Sequence, residues 1–199
     1  MGLFQNIKRR KAEKAFQLAQ AQHAVALAAW QTNDTKLEEM ITVVRDCIEG
    51  RTAEQFTDMT DYGFMLEADE FPVAYLQGAA YLELDTSDGP EAIHVADEGH
   101  AMVTNQRILF AGSARSQEWE FTKLINMTHV SLGYTVFSTK GRSTPAGIGY
   151  GEGPALDVQF RLEIASAMAR NTLPQYLEKL TQQKQKHSSE APVPPPPVG

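Results

Sequence analysis

The chain has 199 residues, of which 42% are apolar and 22% are charged, and these proportions are typical of a globular protein with a buried core. No apolar run approaches the roughly 18 residues of a membrane-spanning helix, and no leucine-rich secretory segment follows the basic start. The single cysteine, Cys47, excludes an internal disulfide, so a reducing, cytoplasmic compartment is expected.

The charge is unevenly distributed along the chain. The formal net charge is −7, yet residues 1–14 carry five basic residues and one acidic residue. Residues 51–154 carry six basic and fifteen acidic residues. Because phosphate neutralisation supplies most of the affinity of nucleic-acid-binding proteins, this acidic middle excludes nucleic acid as a main partner.

The first 50 residues predict a helical hairpin. Residues 4–31 contain neither glycine nor proline, and their small and apolar residues recur at the spacing of one helical face. Asn33 and Asp34 indicate a turn, and the capping box Thr35–Glu38 indicates a second helix that ends at Gly50. Residues 51–71 are mixed and acidic, and they are interpreted as a connecting segment.

From Pro72 the apolar period changes to two, which predicts β-strands. The expected strands lie near Val73–Leu84, Ala101–Thr104, Arg107–Ala111, Gln117–Phe121, Leu124–Val130, Tyr134–Thr139 and Ala146–Tyr150. Turn residues separate them, among them a turn at residues 97–99.

Helical patterns return from Ala155, and Pro174 indicates the start of a second short helix through Leu180. Together with the strands, these helices complete an expected domain over residues 72–181. Residues 182–199 are polar and then proline-rich, which predicts a disordered or polyproline II tail. Such a tail could also dock into a partner's SH3- or WW-type groove.

An ordered series of motifs runs from Gly99 to Leu124. Gly99 is followed by VTNQR, by ILF, by a glycine turn at Gly112 and finally by WEFTKL. In this order the motifs resemble those of the GRAM-like and bacterial pleckstrin-homology-like (PH-like) domains. The resemblance implies an α+β fold, in which a bent antiparallel β-barrel carries a C-terminal capping helix, here preceded by the N-terminal helical hairpin.

The resemblance also implies classes of ligand, because such domains bind phosphoinositides, other lipids, peptides or proteins. Lipid-binding members commonly use basic residues in the loop between the first two strands, whereas the matching turn here, residues 85–89, is acidic. No lipid-contacting residue is therefore transferred to this chain. The simplest interpretation of the domain's cations is a solvated charge at a strand end. Those best placed to contact an anion are Arg107, Lys123, Lys140 and Arg142.

The start of the chain predicts a separate contact with a membrane. Apolar residues at helical spacing are followed by cations, the pattern of a helix that lies in the membrane interface. Each cation contributes roughly 1 kcal/mol near an anionic surface, so the attachment would be weak and salt-sensitive. A solvated, frayed helix start is the alternative. The expected contact residues are Leu3, Phe4, Ile7, Lys8, Arg9, Arg10 and Lys11.

Catalytic patterns are missing from the sequence. It contains no HExxH motif, no paired cysteines, no GxSxG elbow and no phosphate-binding loop. His94 and His100 lie near Asp97 and Glu98, but they fall around a predicted turn, where a solvated cluster is a simpler interpretation than a metal site. We therefore expect no enzymatic activity, no catalytic residues, no metal and no cofactor.

Two functions remain open at this point. The first is a non-enzymatic PH-like binding or adaptor module, attached at the inner membrane face through its basic start, with an anionic membrane surface or a protein as partner. The second is a protein–protein or assembly module that forms homo-oligomers through its N-terminal helices and has no role with lipids.

Overall fold

A computed structural model describes residues 2–52, 56, 62–85, 92–131, 133–140 and 144–196. Side chains are described for the same residues except 2–9, 85, 92 and 131. The chain divides into two compact units, one made of residues 1–45 and 177–199 and the other of residues 46–176. We call them the helical unit and the sheet unit.

The described elements form three groups in chain order: one long helix comes first, the strands follow, and two helices come last. They are α1 (Gly2–Ile48), β1 (Pro72–Asp85), β2 (Ala92–Thr104), β3 (Arg107–Gly112), β4 (Ser116–Glu120), a 3₁₀ turn (Phe121–Lys123), β5 (Leu124–Ser131), β6 (Tyr134–Thr139), β7 (Ala146–Gly149), α2 (Ala155–Ala169) and α3 (Leu173–Ser189). None of the described helices has an apolar stretch long enough to cross a membrane.

Helix α1 replaces the predicted hairpin of residues 1–50, and that prediction is wrong. The helix runs unbroken from Gly2 to Ile48. Thr35 does not cap a second helix, because its hydroxyl donates to the carbonyl four residues earlier, at 3.0 Å. No glycine or proline lies nearby, so Asn33 and Asp34 stay helical. The predicted end at Gly50 is confirmed, since this residue has the left-handed φ of +83° that closes many helices.

The structure does contain a pair of antiparallel helices, but its two members come from the N-terminal and C-terminal parts of the chain. In the helical unit, α3 runs antiparallel to α1, with Lys184 3.5 Å from Asp34 and the Trp30 indole donating to the carbonyl of His187 at 2.9 Å. Helix α3 continues to Ser189, beyond the expected end at Leu180. The prediction of a disordered tail is therefore wrong for residues 182–189.

The seven strands form one antiparallel sheet in the order β4-β3-β2-β1-β7-β6-β5. Strands β4 and β5 are its edges, so hydrogen bonds do not close the predicted barrel. Strand β2 begins at Ala92 instead of Ala101, and the turn predicted at residues 97–99 lies inside the strand. The longer β1 supplies its partner, and a bulge at Gly78, whose φ is +69°, absorbs the change of register.

Aromatic side chains fill the core of the sheet unit. Trp119 is 2% exposed, and its ring centroid lies 5.1 Å from that of Phe137 and 5.8 Å from that of Tyr81. Side-chain packing thus joins β4 to β6, although these two strands are not neighbours in the sheet. Trp119 and Phe121 of the WEF motif are therefore core residues.

Helix α2 confirms the helix predicted from Ala155. It packs against β1, β2, β3 and the 3₁₀ turn. Arg161 Nη1 donates to the carbonyl of Val73 at 2.7 Å, and Arg170 Nη2 donates to the carbonyls of Phe121 and Leu124 at 2.7 and 2.8 Å. The two arginines donate to backbone carbonyls of β1, the 3₁₀ turn and β5, and so they fix the helix in place.

Candidate functional site

Arg107, one of the four cations expected to contact an anion, is surrounded by carboxylates. Its Nε and Nη2 each donate to Glu70 at 3.0 Å, and its Nη1 donates to Glu118 at 2.8 Å. Glu67 lies 3.4 Å from the same Nη1. Three carboxylates outweigh one guanidinium, so these surroundings repel an anion.

The turn between β2 and β3 forms hydrogen bonds with the segment that precedes β1. The Thr104 hydroxyl donates to Glu70 at 2.7 Å. The Asn105 side-chain oxygen accepts from the amide of Phe71 at 2.9 Å, and the Asn105 amide donates to the carbonyl of Phe71 at 3.1 Å. The VTNQR motif thus has a structural role, because its polar groups hold the chain where it enters the sheet.

Glu70 is the buried centre of this cluster, with a side chain that is 0% exposed. Burial raises its pKa, but hydrogen bonds from Arg107, from the amide of Glu67 and from Thr104 favour the ionised form and leave the pKa below its ordinary value. Hydrogen bonding to Glu70 raises the pKa of Arg107. The two side chains therefore form a buried ion pair at neutral pH. Sequence analysis missed Glu70, which has no motif of its own.

Lys123, another expected anion contact, is also paired with a carboxylate. Lys123 Nζ lies 2.5 Å from Glu120. A cavity of about 410 Å³ beside Arg107 has an acidic lining, to which Glu67 and Glu120 both contribute. Lys140 is exposed, while Arg142 and most of the acidic turn at residues 85–89 lie outside the described residues.

His94 and His100, the alternative metal-site residues, have different surroundings. The His100 ring packs edge-on against Phe64 with centroids 5.2 Å apart, whereas His94 is exposed. Asp97 accepts the amides of Ala114 and Arg115 at 2.9 and 2.8 Å, and these bonds help to lower its pKa. Among the described residues, no three His, Cys, Asp or Glu side chains form a group suited to a metal. Asp97 thus shapes the turn between β3 and β4.

A buried polar network crosses the β5–β6 side of the sheet unit. The hydroxyl of Thr135, which is 0% exposed, lies 2.8 Å from Tyr150 Oη and 2.7 Å from His129 Nδ1. His129 Nε2 lies 3.8 Å from Glu163 of α2. Burial, and then Glu163, raise the pKa of Tyr176. No spacing in the sequence indicates this network, because its members come from four separate elements.

We expect Thr135→Val to lower the free energy of unfolding of the sheet unit by about 1–3 kcal/mol. The substitution keeps the shape of the side chain but removes the hydroxyl that links His129 to Tyr150. Urea unfolding followed by the fluorescence of buried Trp119, in a Trp30→Phe background, measures the change. Thr128→Val on exposed β5 is the control, with an expected change within about 0.5 kcal/mol. Equal effects of the two substitutions would show that the network contributes nothing.

The expected membrane contacts occupy the first turns of α1. The backbone of residues 3–9 is helical, while the side chains of Leu3, Phe4, Ile7, Lys8 and Arg9 lie outside the described part of the chain. Arg10 and Lys11 are exposed, and so is Lys14 one turn later. The unbroken helix places positions 3, 4, 7, 11 and 14 on one helical face.

One face of α1 is covered within the helical unit. The rings of Trp30 and His187 stack with centroids 5.0 Å apart, and each residue's ring nitrogen lies within 3.0 Å of the other's carbonyl oxygen. His23 Nε2 lies 3.2 Å from the carbonyl oxygen of Pro192, so the proline-rich tail also contacts this face. Lys184 Nζ lies 2.5 Å from Glu38, whose hydrogen bond raises the pKa of Lys184.

The opposite face of α1 is exposed to solvent from Lys11 to Thr32. Two large apolar side chains stand out on it, Leu18 at 61% and Val25 at 72% exposure. We call this face the exposed seam. Its members are Lys11, Lys14, Leu18, Ala21, Val25, Ala28 and Thr32, and all of them are exposed.

The surface of α1 is therefore the candidate functional site. It combines exposed cations near its start with exposed apolar side chains at Leu18 and Val25. In the sheet unit, by contrast, Arg107 and Lys123 are tied to carboxylates. Such a surface suits binding rather than bond-breaking chemistry. No protein-family model matches this chain, and no curated protein matches it.

Proposed function

We propose that this protein is a non-enzymatic binding or adaptor module, attached peripherally at the inner face of an anionic membrane through the start of α1. The observation that carries the proposal is the exposure of Arg10, Lys11 and Lys14 in a helix that begins at Gly2. Apolar residues precede these cations in the sequence. In the membrane interface, the apolar residues would enter the acyl boundary while the cations meet anionic headgroups.

We also propose that the sheet unit is a PH-like domain with the role of holding a partner. The strand order β4-β3-β2-β1-β7-β6-β5 and the packing of α2 against β1–β3 support this assignment. The carboxylates of Glu67, Glu118 and Glu120 make the surface around Arg107 acidic. Such a surface suits a protein or peptide partner better than a phosphoinositide.

Flotation of the full chain with vesicles of phosphatidylcholine and phosphatidylserine tests the membrane proposal. We expect binding at low salt that falls as salt is added, because screening weakens the contribution of the cations. Replacing Leu3, Phe4 and Ile7 together by serine should reduce the bound fraction at least about tenfold, since each buried apolar side chain contributes about 1.5–3 kcal/mol.

A charge-matched pair of variants separates the basic start from net charge. Arg10→Glu/Lys11→Glu should abolish vesicle binding, whereas Lys36→Glu/Lys186→Glu, which reverses two other exposed cations, should bind like the original chain. No vesicle binding at low salt, or equal losses in the two variants, would rule out attachment through the start of α1.

Assembly through α1, without any role for lipid, is the second candidate function. The exposure of Leu18 and Val25 favours it, because the two side chains lie seven residues apart on one helix face, where a single partner helix could cover both. Self-association in solution without vesicle binding would identify this function in preference to the first.

A further inference from the structure

The exposed seam has the spacing of a coiled-coil interface. Its members follow one another at alternating intervals of three and four residues, from Lys11 to Thr32. An α-helix with such a period presents one continuous line of side chains to a neighbouring helix. The seam lies opposite the face that α3 covers at Trp30. Helix α1 thus has two interfaces, of which only one is filled within the chain.

We infer that the exposed seam pairs with the same seam of a second copy of this chain, in antiparallel orientation. The inference rests on assembly, the second candidate function, and the seam shares Lys11 with the expected membrane contacts. Burial of the apolar side chains of Leu18 and Val25 would favour the pair and offset part of the cost of association. A two-fold axis across α1 would make the interface self-complementary.

Side-chain size favours the antiparallel orientation. When two copies cross between Ala21 and Val25, Leu18 faces Ala28 of the other copy, and Val25 faces Ala21. Each large side chain then meets a small one, which lets the two helices pack closely along the whole seam. In a parallel pair, Leu18 and Val25 would each meet their own copies, and the alanines would leave gaps between them.

Charge favours the same orientation. In a parallel pair, Lys11 and Lys14 would each lie against their own copies, and these like charges repel. In the antiparallel pair, Lys14 faces Thr32 and Lys11 faces Thr35. Both threonines are exposed, and their hydroxyls donate to carbonyls four residues earlier at 3.0 Å, which leaves the hydroxyl oxygens to accept from the lysines.

Sedimentation equilibrium of the full chain over a wide concentration range tests whether the seam assembles. We expect a monomer–dimer equilibrium and at least an about tenfold rise of its dissociation constant in Leu18→Glu/Val25→Glu. The matched control, Gln20→Glu/Gln31→Glu, adds two charges at exposed positions of α1 outside the seam and should dimerise like the original chain. Both variants change exposed residues, so thermal unfolding at concentrations where the chain is monomeric should show the same stability.

Disulfide cross-linking tests the orientation. In a Cys47→Ala background, Leu18→Cys/Ala28→Cys places two thiols on the seam. An antiparallel pair joins residue 18 to residue 28 of the other copy, whereas residues 18 of the two copies stay about 15 Å apart along the axis, too far for a disulfide. Peptide mass spectrometry should therefore find 18–28 links in the covalent dimer.

Each outcome bears on a different part of the inference. A monomer at all concentrations would overturn both assembly and the seam. A dimer that Leu18→Glu/Val25→Glu does not weaken would leave assembly standing but overturn the seam as its interface. Links between two residues 18, or between two residues 28, would show a parallel pair and overturn the orientation.

Discussion

Replacing Arg107 by leucine is expected to lower the free energy of unfolding of the sheet unit by about 3–5 kcal/mol. The guanidinium is the partner of the Glu70 carboxylate, whose side chain is 0% exposed, and its loss leaves that charge buried without compensation. The segment before β1 would also lose its main attachment. Urea unfolding followed by Trp119 fluorescence, in a Trp30→Phe background, measures the loss.

The matched control is Arg115→Leu, which removes a surface ion pair. Arg115 pairs with Glu83, but both side chains are more than 40% exposed, so a loss of at most about 1 kcal/mol is expected. The double variant Glu70→Leu/Arg107→Leu removes both buried charges and should be more stable than Arg107→Leu alone. Similar losses for Arg107→Leu and Arg115→Leu would contradict the importance of the buried pair.

The pH dependence of the free energy of unfolding should also distinguish the original chain from Arg107→Leu. Folding lowers the pKa of Glu70, so its ion pair stabilises the original chain above the unfolded pKa, and that contribution is lost as the pH falls through the folded pKa. In Arg107→Leu, burial without the cation raises the pKa of the carboxyl, which protonates early. The stability difference between the two chains should therefore shrink on acidification.

Replacing Gly99 by alanine is expected to cost at least about 3 kcal/mol, or to prevent the sheet unit from folding. An added Cβ would lie 2.1 Å from the carbonyl oxygen of Ala111 and 2.6 Å from the Cα of Gly112. Both are backbone atoms of β3, and Gly99 and Gly112 are paired residues of the β2–β3 ladder. The methyl group therefore cannot be accommodated by rotating a side chain.

Gly153→Ala is the control for this substitution. A Cβ at Gly153 meets no heavy atom within 4 Å, and its φ lies outside the left-handed region. The change should be neutral or slightly stabilising, since alanine reduces the conformational freedom of the unfolded chain. The same unfolding midpoint for the two alanine variants would show that β2 and β3 are not packed as closely as the ladder implies.

Local patterns predicted much of the sheet unit. The sequence predicted β3, β5 and β6 almost to the residue, because strand-forming residues bounded by turn residues are a local pattern. The buried positions of β3 and β6 are nevertheless consecutive and do not alternate. The end of α1 at Gly50 was predicted for a similar reason, because only a glycine adopts the left-handed conformation there at no cost. These features depend on residues that are neighbours in the chain.

Contacts between distant residues account for what local patterns missed. Asn33 and Asp34 suggested a turn, yet α1 continues through them, and its partner helix α3 comes from residues more than 150 positions away. Strand β2 was predicted too short because residues 97–99 resemble a turn, whereas pairing with β1 keeps them extended. In both places a partner outside the local segment overrides its preference.

The candidate sites show the same difference between local patterns and contacts of distant residues. Composition and short-range spacing are enough to predict the basic, apolar start, the acidic middle and the strand periods. The folded chain is needed to show that Arg107 belongs to a buried ion pair and that Leu18 and Val25 remain exposed. The physical reason is that burial and pairing depend on where α3, β1 and the Glu67–Phe71 segment come to lie, and no local pattern encodes those positions.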